Sequence, residues 1–296
     1  MKEYALLIGN GLNRAADNKA WADMLDEIRE KYGVEAASDY TNMPLEFERI
    51  YLEALRNGTA IKSYTVKKHI AEFLPSVVDL SLHREFAALP INTLMTSNYD
   101  YYLEQAIDAD FKRKSAGVST SERKHSLFRY LEIGTKRVWH IHGEAHCPDS
   151  ICLGYDHYCM GMSKMIEYLT RPLTGVSKKP LLRHWAEGGE FGNAAWPTLF
   201  FTHDIFIVGM TLSFLELDLW WLLNHRIKFC LENPEYCVEN EIHYFYAASE
   251  EKVNDEQISL LESAGVILHP VPLVRKNWKK LYSNILSNIK DIVNTG

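Results

Sequence analysis

The chain has 296 residues, of which 47% are hydrophobic and 12% aromatic, so it can bury a sizeable core and is neither disordered nor fibrous. A formal net charge of −7 removes the bulk positive field on which nonspecific nucleic-acid or anionic-membrane binding depends. The longest apolar stretch, Ile205 to Leu223, carries Glu216 and Asp218, and the apolar run near Met1 is too short for a signal-peptide core; together these lead us to expect a cytoplasmic protein without a membrane span.

Tyr4 to Ile8 is a short apolar run ending at Gly9-Asn10-Gly11, the pattern of a buried strand entering a tight turn, with a helix around Trp21 to Lys31. Leu45 to Leu55 and Val66 to Phe73 repeat apolar residues at helical spacing and are punctuated by Pro44 and Pro75. Asn92 to Thr96 is a second strand, closed by Ser97-Asn98-Tyr99-Asp100 and followed by a helix over Tyr101 to Ile107. Arg137 to Ile141 is a third strand, ending at His142-Gly143. Residues 155–200 have weaker periodicity and are expected to form a helical insertion or mobile cap. Ile205 to Val208 is a fourth strand, ending at Gly209 before an amphipathic helix that runs to about Leu231; Ile242 to Ala247 and Val266 to Val271 supply two more. Strands separated by helices predict an α/β fold, an open parallel sheet of Rossmann-like type, in one domain over residues 1–290.

In such a sheet ligands bind beyond the carboxyl ends of the strands, which is where four polar or glycine-rich turns fall. Gly9-Asn10-Gly11 can bring backbone and helix N–H groups to a pyrophosphate, or be a plain strand-to-helix turn; Arg14 stands where the last glycine of the dinucleotide fingerprint would be. Asn98 can be a turn residue or a helix cap, and a histidine such as His142 can be structural. Their common placement at strand ends favours one shared crevice.

Three segments carry a family likeness. Leu7 to Asn13 resembles a Gly-Ala-Gly-x-Ser turn with Asn10 and Asn13 in place of Ala and Ser, Thr96 to Asp100 matches Thr-x-Asn-Tyr-Asp, and Trp139 to Tyr158 contains His142-Gly143 followed by Leu153-Gly154 and Tyr158. In this order they resemble the sirtuin-like family, especially its bacterial NAD-hydrolysing branch associated with anti-phage defence. Val208 to Leu212 is similar to that family's late Gly-x-Ser-Leu turn, with Phe214 at the place of its usual nearby Asp. The resemblance implies NAD as substrate, Asn98 and His142 as the catalytic pair at the nicotinamide ribose, and Gly9, Asn10, Gly11, Asn13, Ser97, Asp100, Gly209 and Thr211 as binding residues. His142, titrating near neutrality, would accept a proton from a ribose hydroxyl or the attacking water.

The five cysteines, Cys147, Cys152, Cys159, Cys230 and Cys237, are expected as reduced thiols and form no Cys-x-x-Cys pair, so the zinc ribbon of sirtuin deacetylases is missing and no zinc is expected. Water is then the simplest acceptor, which favours an NAD glycohydrolase over an NAD-dependent deacylase. A metal-dependent hydrolase built on His140, His142, His146 and the neighbouring cysteines is an alternative, as is an inactive module that binds NAD or ADP-ribose. An active NADase would drain the cell, so restraint is expected from a homo-oligomer or from a separate sensor protein, such as an ATPase, an Argonaute-like protein or a nucleotide-processing enzyme, with residues 161–197 as a gate.

Overall fold

The computed structural model describes residues 2–17, 21–35, 42–59, 61–73, 79–112, 124–192, 195–236, 239–248 and 255–295. Pro75 and Cys237 lie outside them. In chain order, β1 (Tyr4–Ile8) leads into α1 (Gly11–Asp17), α2 (Trp21–Tyr32), α3 (Met43–Arg56), α4 (Ser63–Phe73) and α5 (Ser81–Ala87). Next come β2 (Thr93–Thr96), α6 (Tyr102–Ile107), β3 (Leu131–Ile133) and β4 (Lys136–His140). They are followed by α7 (Tyr155–Thr170), α8 (Leu181–Ala186) and α9 (Trp196–Thr202). The chain closes with β5 (Asp204–Val208), α10 (Leu217–Glu232), β6 (Ile242–Ala248), α11 (Asp255–Ser263), β7 (Val266–Pro272) and α12 (Trp278–Thr295).

Among the described residues, seven strands form one sheet in the order β3-β4-β2-β1-β5-β6-β7. All neighbours pair in parallel except β3 and β4. Counting only the parallel strands, the order is that of the doubly wound Rossmann fold, which reverses direction between β1 and β5. The antiparallel β3 departs from the all-parallel sheet the sequence predicts. Leu131 to Ile133 is too short to show alternation, and only the two-residue turn Gly134-Thr135, with Gly134 at φ +60°, returns the chain into β4.

The sheet is covered on both faces, which is why its central strands are continuously apolar. Ala5 and Leu7 of β1 join a core with α7, α8, α9 and α10, while Leu6 and Ile8 face α5, α6 and α12. Residues 155–200 thus supply much of one helical layer: Met165, Leu169, Leu181, Trp196 and Phe200 are all buried in the main core. A third core belongs to α2, α3 and α4, where Leu25, Ile28, Phe47, Ile50, Val66 and Ile70 pack together and meet the rest of the molecule at Tyr99, Ile151 and Leu153. Among the described residues no helix is long and apolar enough to cross a membrane.

Candidate functional site at the sheet switch point

The turns that follow β1 and β5 lie side by side at the switch point. The Gly9 N–H donates to Val208 O at 2.9 Å and the Gly11 N–H to Gly209 O at 2.7 Å. A Cβ on Gly9 would stand 2.5 Å from Gly209 O, and one on Gly11 2.8 Å from the same atom, so the two turns approach closely only because both residues are glycine. Gly209 itself has φ +69°. Asn10 accepts the Arg14 N–H through its carbonyl and so opens α1.

Beside these turns is a cleft of about 720 Å³ of empty space, its open mouth included. Ser97, His142, Cys152, Tyr158, Thr211 and Glu216 line its floor and walls, and Met24, Leu25, Met43, Pro44 and Phe47 of α2 and α3 roof it. The roof is therefore supplied by the helices between β1 and β2. Of the residues expected to bind or act on NAD, His142, Ser97 and Thr211 line the cleft, as do Leu153 and Tyr158 of the motif that follows His142.

His142 is 2% exposed, with Nε2 donating to Asp218 Oδ2 at 2.9 Å and the edge of its ring against Tyr158. Nδ1 lies 3.9 Å from Glu216 Oε2. Burial alone would lower its pKa, but the Asp218 carboxylate, helped by Glu216, outweighs it and pushes the imidazole up to about 9. This revises the expectation of a histidine titrating near neutrality: with two carboxylates at hand, His142 stays charged at pH 7. Asp218 sits in the first turn of α10, where the helix dipole favours a carboxylate. The Cys152 thiol in the cleft wall is held protonated, its pKa pushed up to about 12 by burial.

Asn98 lies beneath the Gly9 turn, 6% exposed, with Nδ2 donating to Gly9 O at 3.4 Å. Its Oδ1 is buried and has no hydrogen-bond partner, an acceptor left open beside the turn that ends β1. The Asn98 carbonyl accepts from His140 Nδ1 at 2.8 Å, and His140 Nε2 donates to Glu104 at 2.7 Å. Both partners can only accept, so His140 must carry both ring protons. Its pKa is accordingly raised to about 9 despite burial, by Glu104 first. Asn13 and Asp100 are joined to each other: Asn13 Nδ2 donates to Asp100 Oδ2 at 2.7 Å and Asn13 Oδ1 accepts from His83 at 2.8 Å. Asp100 also accepts the Tyr102 N–H at the first residue of α6. These two side chains brace α1, α5 and α6 behind the cleft.

The His- and Cys-rich stretch is dispersed by the fold. His157 Nδ1 accepts the Leu153 and Gly154 N–H groups at the start of α7, and Cys159 is exposed. Among the described residues, only His142 of its members enters a group close enough to share a cation, with Glu216 and Asp218, all three ligand atoms lying within 4.8 Å. The His142–Asp218 hydrogen bond accounts for that closeness without an ion. A second such group, Asp204, Glu241 and His243, already has a cation in Lys2, whose Nζ is 3.2 Å from Asp204. Glu216 and Asp218 are the site residues that the sequence reading missed. They stand two and four positions beyond Phe214, the place of the family's usual Asp, so the acids of the late turn are displaced by about one helical turn.

A doubly wound sheet with a cleft at its switch point, flanked by glycine turns, is the architecture of dinucleotide-binding α/β proteins. Within it, residues 92–183, which include Asn98 and His142, match the SIR2-like domain. The chain is also similar to the NAD(+) hydrolase ThsA of Bacillus cereus (strain MSX-D12), with 25% identity over 181 residues, 59% of this chain. The match spans 35% of the length of that relative.

Proposed function

We propose that the chain is an NAD glycohydrolase that cleaves NAD to nicotinamide and ADP-ribose. The observation that carries this reading is the placement of His142, charged and locked onto Asp218, in the wall of the switch-point cleft, with the open acceptor of Asn98 under the adjoining Gly9 turn. The SIR2-like match over both residues and the similarity to a named NAD(+) hydrolase support it. Loss of nicotinamide leaves a cationic ribosyl centre, and an Asn amide oxygen can orient the attacking water or the ribose hydroxyls. Asp218 holds the His142 ring through Nε2, which leaves Nδ1, on the side of Glu216, available to hydrogen-bond a ribose hydroxyl. No zinc is required for this chemistry, and the sequence has no Cys-x-x-Cys pair to hold one.

We further propose that the activity serves as a toxic effector in anti-phage defence, restrained by self-assembly or by a separate sensor protein. The support is the relative's activity together with the cost to a cell of an unrestrained NADase.

The test is NAD consumption and nicotinamide release by the purified chain and its Asn98→Ala and His142→Ala variants, with circular dichroism and elemental analysis alongside. Each variant is expected to lose about 10²-fold or more in rate, the cost of misplacing the reacting groups, while keeping the wild-type spectrum. Full activity in either variant removes the assigned chemistry. About one zinc per chain, lost with His142→Ala, would favour a metal hydrolase instead.

A further inference from the structure

Glu216 precedes α10 as its N-cap residue, yet its side chain makes no capping hydrogen bond. It lines the cleft instead, and its Oε2 is buried with no hydrogen-bond partner, 3.9 Å from His142 Nδ1. A buried carboxylate oxygen without a donor is costly and calls for an explanation in function. α10 starts without a cap from it, and its approach to His142 Nδ1 only reinforces the charge of a ring already held through Nε2 by Asp218.

Hydrolysis needs a proton acceptor. The C1′–N1 bond breaks with its electron pair remaining on the nicotinamide nitrogen, so the leaving group departs neutral. The water oxygen bonds to C1′, and one water proton must then go to a base. Asn98 is an amide and cannot take it. His142 keeps its proton at neutral pH, since Asp218 and Glu216 hold it charged up to about 9. Cys152 is a protonated thiol at that pH.

Resting on the NAD-hydrolase reading, we propose that Glu216 is a further catalytic residue: its carboxylate stabilises the cationic ribosyl centre and accepts the proton of the attacking water, later releasing it to solvent. The titratable groups facing it are His142, Asp218, Tyr158 of α7, Tyr99 and Cys152. Burial raises its pKa, against the opposing pull of His142, which brings a carboxyl closer to the range where it can exchange a proton.

The experiment compares wild type, Glu216→Gln and Glu216→Asp in nicotinamide release from pH 5 to 9, in water and with added azide, a nucleophile that needs no base. Melting curves confirm folding. Glu216→Gln is expected to keep KM within about two-fold and to lose roughly 10²–10⁴-fold in kcat. Its profile should lack the fall toward acid pH expected of wild type. Azide should restore turnover in Glu216→Gln, giving the ADP-ribosyl azide, and Glu216→Asp should recover part of the water rate. An active wild type with an equally active Glu216→Gln, or with a Glu216→Gln that azide does not rescue, overturns the role of Glu216 alone. A wild type that releases no nicotinamide under any condition overturns the hydrolase reading and this role with it.

Discussion

Two histidines two residues apart are both charged, for different reasons. His140 donates to an amide carbonyl and to Glu104, and His142 to Asp218 beside Glu216. Both imidazoles are raised from 6.5 to about 9. A histidine whose folded pKa is raised stabilises the fold fully below its unfolded pKa, near 6.5, and that contribution is lost as pH climbs through about 9. Imidazole NMR titration should therefore place both transitions near 9, with the melting temperature falling over pH 7 to 9.5. In Asp218→Asn the His142 transition should drop by more than one unit while that of His140 stays, because Glu104 is untouched. A wild-type His142 that titrates below 7 would contradict the paired geometry. The sequence already named Asn98 and His142; it did not reveal Asp218 and Glu216, which come 76 and 74 positions after His142 and are brought to it only by the fold.

At the level of elements, the turns after β1 and β5 behave as one unit. Substituting Gly11 by Ala would put a Cβ 2.8 Å from Gly209 O and 2.4 Å from Tyr282 Oη, and Gly9→Ala would put one 2.2 Å from Met210 Cγ and 2.5 Å from Gly209 O. Backbone atoms cannot swing aside, so each change should destabilise the protein by about 1–3 kcal/mol or more, as overpacking does. Gly161, inside α7, is the control: its nearest neighbour would be 3.6 Å away, and Ala there should be neutral or slightly stabilising. Urea unfolding midpoints decide this, and a Gly11→Ala midpoint equal to wild type would mean that the turns are not in contact. Glycine at these places could be read from the sequence as close approach to a phosphate. The structure adds a second close approach, of one turn to the other.

On the scale of the molecule, the cleft is roofed by α2 and α3, part of a three-helix body with its own small core that meets the main domain at Tyr99, Ile151, Leu153 and the start of α7. The segment expected to gate the site, residues 161–197, contributes instead to the main core, through Met165, Leu169, Leu181, Leu182, Ala195 and Trp196. Restraint of the proposed NADase is then expected to act by contacts that shift the body formed by α2, α3 and α4 relative to the sheet. A 100-fold change in activity needs a shift of only about 2.7 kcal/mol in the closed-to-open balance, within reach of an ordinary interface. Specific activity measured across a dilution series, followed by light scattering, should rise with assembly or on adding a partner protein. Full turnover by a dilute monomer, unchanged by any partner, would refute the restraint.

The strands β1, β2, β4, β5, β6 and β7 were legible in the sequence because each contains a short run rich in apolar and β-branched or aromatic residues between helical segments, and strand-helix alternation alone then dictates a parallel sheet. The same local chemistry marked Gly9, Asn98, His142 and Gly209 as strand-end residues. Only the tertiary structure decided which of these share the cleft, that Asn13 and Asp100 brace the helices behind it, and that Glu216 and Asp218 flank His142. The reason is physical: periodicity and turn propensity report a residue's relation to its near neighbours along the chain. A carboxylate's effect on an imidazole depends on a distance of about 3 Å between residues far apart in sequence, which strand order and helix packing set.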